Sequence, residues 1–411
     1  MTLTRRQIYH RRRITVFGSI AIALGVAFYL PMTLLAPLQA ADAVVGSHAV
    51  LPEAAAKLDW PGYGGSAIGA VGYDGVLARG GSSAPMPMAS ITKIITTLVV
   101  LQAKPLSVGD EGPKVTMSAA DVDLYHHYVS LDGEVAPVRA GLVFTEHELM
   151  QLALVRSANN YAASLAIWAF GSEQAYVTAA KTWLASQKLN SITIADPTGI
   201  DPANVAGTSD LVQLGRLALA NPVVAAIVAT KSVTIHDVGA ITNTNDLLGT
   251  LGVDGIKTGT LNTFGSNLLF AADYPVGSSK VTVVGVVLGG ANHRQLDGDI
   301  KSLLTAVKAG FHEVTVATKG QKLASYSTDW GQKVDAVAER SARLVVWSDT
   351  PVTSRISAKP VTTGKAGDDV GSAVFTAGPR TVTVPIGLAE ALTDPGPGWR
   401  LSHPGLILGS P

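Results

Sequence analysis

The 411-residue chain contains no cysteine. That removes disulfides, thiol nucleophiles, cysteine-ligated zinc and a lipid-modified cysteine together. Charge is also scarce: 31 Lys and Arg balance 31 Asp and Glu, and charged residues make up 15%, against roughly a quarter in an ordinary soluble domain. No basic excess points to nucleic acid, and no acidic excess points to a solvating tail. A zinc-peptidase helix is missing, because His147-Glu148 is followed by Gln151 where a second histidine would be needed, and His126 and His127 are adjacent, so they cannot face one ion from a helix. There is no Gly-x-Ser-x-Gly elbow and no Walker lysine. Gly62, Gly64 and Gly65 follow Trp60-Pro61 rather than a strand, which argues against a dinucleotide loop. What is abundant is apolar: 47% hydrophobic residues and a mean hydropathy of +0.29 exclude wholesale disorder and supply a core for two folded units.

The apolar residues begin early. Arg5, Arg6, Arg11, Arg12 and Arg13 precede an uncharged stretch from Ile14 to Leu35, the layout of an export signal or a signal anchor. A cleaved signal has an apolar core of about 7–15 residues and a spanning helix needs roughly 20, so a membrane anchor is the expectation. Ala41-Asp42-Ala43 has the small-x-small form of a cleavage site and keeps release into the wall or medium as the alternative. Five flanking arginines argue against a buried core helix. Either way, Val44 onward is expected outside the cytoplasm.

From Val44 to Leu58 the sequence reads as an Ala-rich linker, with the folded part starting near Trp60 and a hairpin formed by Ser66–Tyr73 and Val76–Ala78. Ile91, Ile94, Ile95, Leu98 and Val99 recur at helical steps. Thr145 and Glu148 form a capping box ahead of Leu149, Leu152 and Val155. Two β-rich runs, Asn267–Ala272 and Lys280–Leu288, are separated by Tyr274-Pro275-Val276-Gly277 and followed by a helix over about Asp299–Gly310. This is an α/β mixture. Past Val314 come short β-rich runs (Lys333–Ala338, Leu344–Trp347, Ser372–Thr376, Thr381–Ile386), which predict a second, all-β domain. Pro404, Gly405 and Gly409 make the last eleven residues a poor candidate for an amphipathic membrane helix.

Chemistry is suggested first by Ser90-Ile91-Thr92-Lys93 at the start of the strongest helix. Three-residue spacing stacks the two side chains on one face, so an amine can take the proton of a serine that is itself a poor nucleophile. Alone the pair is weak, since roughly one or two such matches arise by chance in a chain this long. Ser157-Ala158-Asn159 adds a hydroxyl and an amide where an apolar helix ends. Lys257-Thr258-Gly259-Thr260 reads as an edge strand whose glycine permits close approach of a substrate backbone. Lys257 would lower the pKa of Lys93, and Thr258 could hydrogen-bond a carboxylate.

These three motifs, in this order, resemble the penicillin-binding proteins and serine β-lactamases. Pro87–Lys93, Ser157–Asn160, Asn243–Leu248 and Gly252–Gly259 are similar to the low-molecular-mass D-alanyl-D-alanine carboxypeptidases. The resemblance runs from about Trp60 to Phe311, and Gly320–Pro404 is loosely similar to the family's C-terminal β domain. It implies an α+β, β-lactamase/transpeptidase-like domain, with a central antiparallel sheet flanked by helices, over residues 44–313. A tail and anchor (1–43) would precede it, and a smaller all-β domain (314–411) would follow.

Carried onto this sequence, the resemblance implies that Ser90 attacks the peptide bond between two terminal D-alanines, Lys93 takes its proton and Ser157 relays a proton to the departing D-alanine. Asn159 would hold the substrate's amide region, Lys257 with Thr258 would bind its terminal carboxylate, and Gly259 would let the substrate backbone approach. The backbone N–H groups of Ser90 and Thr260 would form the oxyanion hole. No metal or organic cofactor is implied; the partners are peptidoglycan stem peptides ending in D-Ala-D-Ala, with β-lactams as covalent inhibitors. Asn160 stands where the family commonly has Asp, Thr260-Leu261 where an aromatic or His and then Thr often follow, and no Glu is assignable to a deacylating role. The usual Met-Asn of the middle region is also absent. Endopeptidase, β-lactamase and non-catalytic binding readings remain open. Trp330, Trp347 and Trp399 are expected in the β-domain core rather than on a glycan platform, and His236, His293, His312 and His403 at the surface or satisfied in the core.

Overall fold

In the computed structural model, which describes residues 4–409, the N-terminal stretch forms one helix, α1 (Arg5–Leu34). At 1.5 Å per residue it is about 45 Å long, and its apolar window has a mean hydropathy of 2.0 with none of it buried. It is long and apolar enough to cross a membrane. Beyond it the chain divides into two units, one made of residues 53–312 with 345–349, the other of the N-terminal 52 residues with 313–344 and 350–411.

The larger unit is built on a five-stranded antiparallel sheet. Its strands, β2 (Gly65–Ala70), β3 (Ala78–Gly81), β4 (Val253–Leu261), β5 (Gly265–Val276) and β6 (Ser279–Gly290), lie in the order β4-β5-β6-β2-β3. The central strands are apolar on both faces because both are covered. Leu269, Ala271, Val284 and Val286 face a helical layer, while Leu268, Phe270, Val283 and Val287 face one long helix at the end of the unit. That helix, His293–Ala309, buries Leu296, Ile300, Leu303, Leu304 and Val307, an apolar stripe at three- and four-residue steps. It begins six residues earlier than the sequence suggested, where the Asn292 side chain accepts the Gln295 N–H at 3.0 Å. Pro275 does not interrupt β5, since β4 pairs only as far as Ala272 and the Pro275 edge needs no donor.

The helical layer holds three elements that shape the site. A one-turn 3-10 segment, Ala89–Ile91, leads into α2 (Thr92–Ala103), which is buried on nearly all sides. Next comes α3 (Glu146–Leu154), started by the expected Thr145/Glu148 capping box. A turn through Ser157 then leads into α4 (Asn159–Phe170). The long C-terminal helix of the unit is α5. Trp347 also belongs to this unit: it is 7% exposed, with its ring 4.7 Å from that of Phe311. Its apolar partners lie in the core beneath α5, which moves it out of the β domain where the sequence had placed it.

The second unit is a six-stranded antiparallel sheet. Its strands are β1 (Ala43–Val45), β7 (Lys322–Ser327), β8 (Lys333–Ala338), β9 (Val352–Ala358), β10 (Asp369–Ala377) and β11 (Arg380–Leu388), in the order β1-β7-β8-β11-β10-β9. Alternate residues such as Ala373, Phe375, Val384 and Ile386 are buried. The expected linker from Val44 to Leu58 is therefore not wholly a linker. Ala43–Val45 pairs with Ala324–Tyr326, because two β-branched valines suit an open sheet edge. Trp330 and Trp399 are half-buried and meet edge to face at 6.0 Å. The C-terminal segment forms two short helices, Gly396–Ser402 and Pro404–Leu408.

Candidate active site

The site begins with a strained turn. Ala89 has φ +50, a left-handed conformation costly for a residue with a Cβ, and it turns Ser90 toward a cavity of about 1070 Å³. One turn later Lys93, fully buried, brings its Nζ to 2.7 Å from Ser90 Oγ. The same nitrogen donates to Asn159 Oδ1 at 2.7 Å and to the Thr198 carbonyl at 2.9 Å. Burial holds the Lys93 amine well below its ordinary pKa, and the charge of Lys257 pushes it the same way. A neutral amine in this setting donates to the two carbonyl-type oxygens and keeps its lone pair for the Ser90 hydroxyl proton.

The second wall is the turn between α3 and α4. Ser157 takes φ +64, and its Oγ accepts from Lys257 Nζ at 3.0 Å. Lys257 Nζ also lies 3.2 Å from the Thr258 carbonyl and 3.5 Å from Thr244 Oγ1. Its pKa is pushed down to about 7 by burial. Thr258 and Thr244 share a hydrogen bond of 2.5 Å between their hydroxyls. Thr244 is held there by side-chain turns: Asn243 Oδ1 accepts the Asn245 N–H, and Asn245 Nδ2 donates to the Gly255 carbonyl at the start of β4.

The third wall is the sheet edge. Gly259 on β4 packs so closely on the serine turn that a Cβ there would lie 2.8 Å from the Met88 carbonyl oxygen and 3.1 Å from Ser90 N. Only glycine lets the edge strand approach the 3-10 turn this way, and Ser90 and Thr260, from either side of the contact, both line the cavity. Thr260 Oγ1 lies 2.8 Å from His293 Nε2, and both residues line the cavity.

All eight residues singled out by sequence lie in one place. Ser90, Ser157, Asn159, Thr258, Gly259 and Thr260 line the cavity, and Lys93 and Lys257 bond to its lining from behind. Asn160 does not line it. It is buried and clasps the Ala136 peptide with both halves of its amide, accepting at 3.1 Å and donating at 3.0 Å. Sequence reasoning passed over three contributors. Asp196 gathers the loop that carries the Thr198 carbonyl, accepting from the N–H groups of Thr198, Gly199 and Asp201 and from Asn204 Nδ2. The turn signature Asp196-Pro197-Thr198-Gly199 was the available signal. Glu134 and Glu173 also reach the cavity lining, where Glu134 is paired with Arg156 at 2.8 Å. His293 lies at the cavity wall rather than spent in the core. Among the described residues, no group of three or more His, Asp or Glu could hold a metal ion.

Residues 72–292 match the family model for D-alanyl-D-alanine carboxypeptidases. The chain belongs to that family. Among curated proteins it is 30% identical over 203 residues to the D-alanyl-D-alanine endopeptidase of Escherichia coli, covering 49% of this chain and 57% of the relative. It is 25% identical over 254 residues to the D-alanyl-D-alanine carboxypeptidase DacA of E. coli, covering 61% and 62%. The chain thus spans about three fifths of the length of the curated relatives it matches. Its fold is that of the penicillin-binding proteins. Penicillin-binding protein 5 of Haemophilus influenzae superposes with a TM-score of 0.57 at 19% identity, covering 80% of this chain and 97% of that one. A Streptomyces K15 DD-transpeptidase variant gives 0.53 at 23% identity, covering 59% and 96%.

Proposed function

We propose that this family member is a serine-type DD-carboxypeptidase that removes the terminal D-alanine from peptidoglycan stem peptides through an acyl-enzyme. The observation that carries the reading is the 2.7 Å contact between Ser90 Oγ and the fully buried Nζ of Lys93, in an environment that lowers the pKa of the amine. Ser90 Oγ attacks the penultimate D-alanine carbonyl as Lys93 takes its proton. The carbonyl oxygen gathers negative charge beside the N–H groups of Ser90 and Thr260, the kind of donor pair whose loss of one member costs about a hundred-fold or more in rate. Collapse of the tetrahedral intermediate expels D-alanine, whose amine receives the proton Lys93 took, relayed through Ser157, which is hydrogen-bonded to Lys257, and Lys93 is left neutral. Asn159 orients the substrate amide, Lys257 and Thr258 receive the terminal carboxylate, and Gly259 lets the substrate backbone approach. Water then attacks the ester and Lys93 again serves as base, freeing Ser90. A β-lactam would acylate the same serine.

Intact-mass spectrometry with benzylpenicillin, on wild type and Ser90→Ala, tests the nucleophile. One drug mass is expected on the wild type only, together with D-alanine release from a stem pentapeptide that Ser90→Ala abolishes. Release unchanged in Ser90→Ala would overturn the reading. The 30%-identical endopeptidase favours one second reading, cleavage of cross-linked dimers, and the same assay on a cross-linked substrate decides it. The work would be done outside the cytoplasm by an enzyme held to the membrane through α1.

A further inference from the structure

The Thr260–His293 contact has no part in that mechanism. The Thr260 side chain stands exposed on β4, two residues beyond Thr258 and so on the same side of the strand. His293 opens α5 at the cavity wall and is half-buried. Their 2.8 Å hydrogen bond can run either way. With the imidazole nitrogen accepting, the Thr260 proton is spent on the histidine and only lone pairs face the cavity. With Nε2–H donating, the Thr260 proton is free to point inward. A carboxylate can only accept hydrogen bonds, so an anionic substrate terminus selects the second arrangement.

We propose that His293 is a positioning residue for anion recognition: its Nε2–H fixes the Thr260 hydroxyl so that it donates to the substrate's terminal carboxylate, alongside Thr258. The nearer hydroxyl pair is already committed in part, because Thr244 and Thr258 bond each other at 2.5 Å and only one of the two can donate outward. Thr260 supplies a further hydroxyl donor, beside Thr258 and the Lys257 amine, for a two-oxygen acceptor. His293 does not touch the reacting atoms, so its effect belongs to binding rather than to the limiting rate.

This inference rests on the proposed function, and its test separates the two. Acylation of the full-length protein is followed with benzylpenicillin, which carries a carboxylate, and with its methyl ester, which does not. For H293A, the drug concentration giving half-maximal acylation is expected to rise about tenfold, the worth of one charge-assisted hydrogen bond. The limiting rate should be kept, and the ester should show no such rise. T260V, which leaves the backbone N–H in place, should raise the half-maximal concentration equally, and the double variant no further. H293Q, whose amide can donate from the Nε2 position, should restore most of the loss. Equal losses for acid and ester, a fall confined to the limiting rate, or additive effects in the double variant would overturn the inference alone. A wild type that takes up neither drug would overturn the proposed function and this inference with it.

Discussion

Two buried lysines on neighbouring elements define the electrostatics of the cleft. Among the described residues neither meets a carboxylate at ion-pair distance, so burial dominates and both are shifted down. Lys93 must be neutral to take the Ser90 proton, and acylation should therefore decline as pH falls through the lowered pKa of this amine. The charge on Lys257 contributes to that lowering. Removing it in Lys257→Gln takes away a like charge, raises the Lys93 pKa and moves the acid limb of the acylation profile to higher pH. Lys257→Arg keeps the charge and should keep the limb. A profile normalised to its own maximum separates this shift from the loss of rate caused by the missing Ser157 contact. An unmoved limb in Lys257→Gln would leave burial as the whole cause.

At the scale of elements, the Lys93 amine is held by a loop whose sequence shows only a turn signature, not the contact it makes. Thr198 is 105 residues from Lys93, and its carbonyl is aimed by Asp196, whose carboxylate accepts from three backbone N–H groups and two side-chain donors. Asp196→Asn replaces one acceptor oxygen with a donor facing donors. Stranding even one buried group costs about 1–3 kcal/mol, so a matching loss of unfolding free energy in denaturant is expected, with slower acylation from a misaimed Thr198. Asp196→Asn at full stability would mean the loop is held by other contacts. The contrast with Ser90, Ser157 and Lys257 explains what could be read in advance. Those residues sit in short motifs whose chemistry demands them, and the helices and strands around them follow from 3.6- and 2-residue periodicity. The Asp196 loop, Thr244 and His293 act through contacts made only after folding, between segments whose local pattern says turn or cap. Asn160, where the family commonly has Asp, is the second residue of α4 and turns inward to the Ala136 peptide.

For the whole chain, the edge of the β unit bears on whether α1 stays attached. The cleavage-like segment Ala41-Asp42-Ala43 is part of the folded structure. Ala41 exchanges both backbone hydrogen bonds with Val361, at 2.9 and 3.0 Å, and Ala43 opens the pairing of β1 with β7. Within the same unit Arg400 donates to the Ala36 carbonyl at 2.7 Å and Tyr29 to the Leu401 carbonyl at 2.6 Å, so the end of α1 and the segment after it are tied to the C-terminal helices. Cutting after Ala43 would remove the Ala41 bridge and the Arg400 acceptor, and would leave β1 as a new, fraying terminus. An uncleaved anchor keeps every one of these bonds. The protein from membranes of an expressing cell should therefore resist extraction by high salt and alkaline carbonate, dissolve in detergent, and show the intact mass of a chain that retains α1. A soluble product beginning at Val44 would overturn the anchor. Arg400→Ala offers a finer measure on the intact chain: losing the Ala36 contact and the Asp394 ion pair should leave acylation by benzylpenicillin unchanged while exposing the 36–45 segment to limited proteolysis, because the ties it removes lie within the β unit alone.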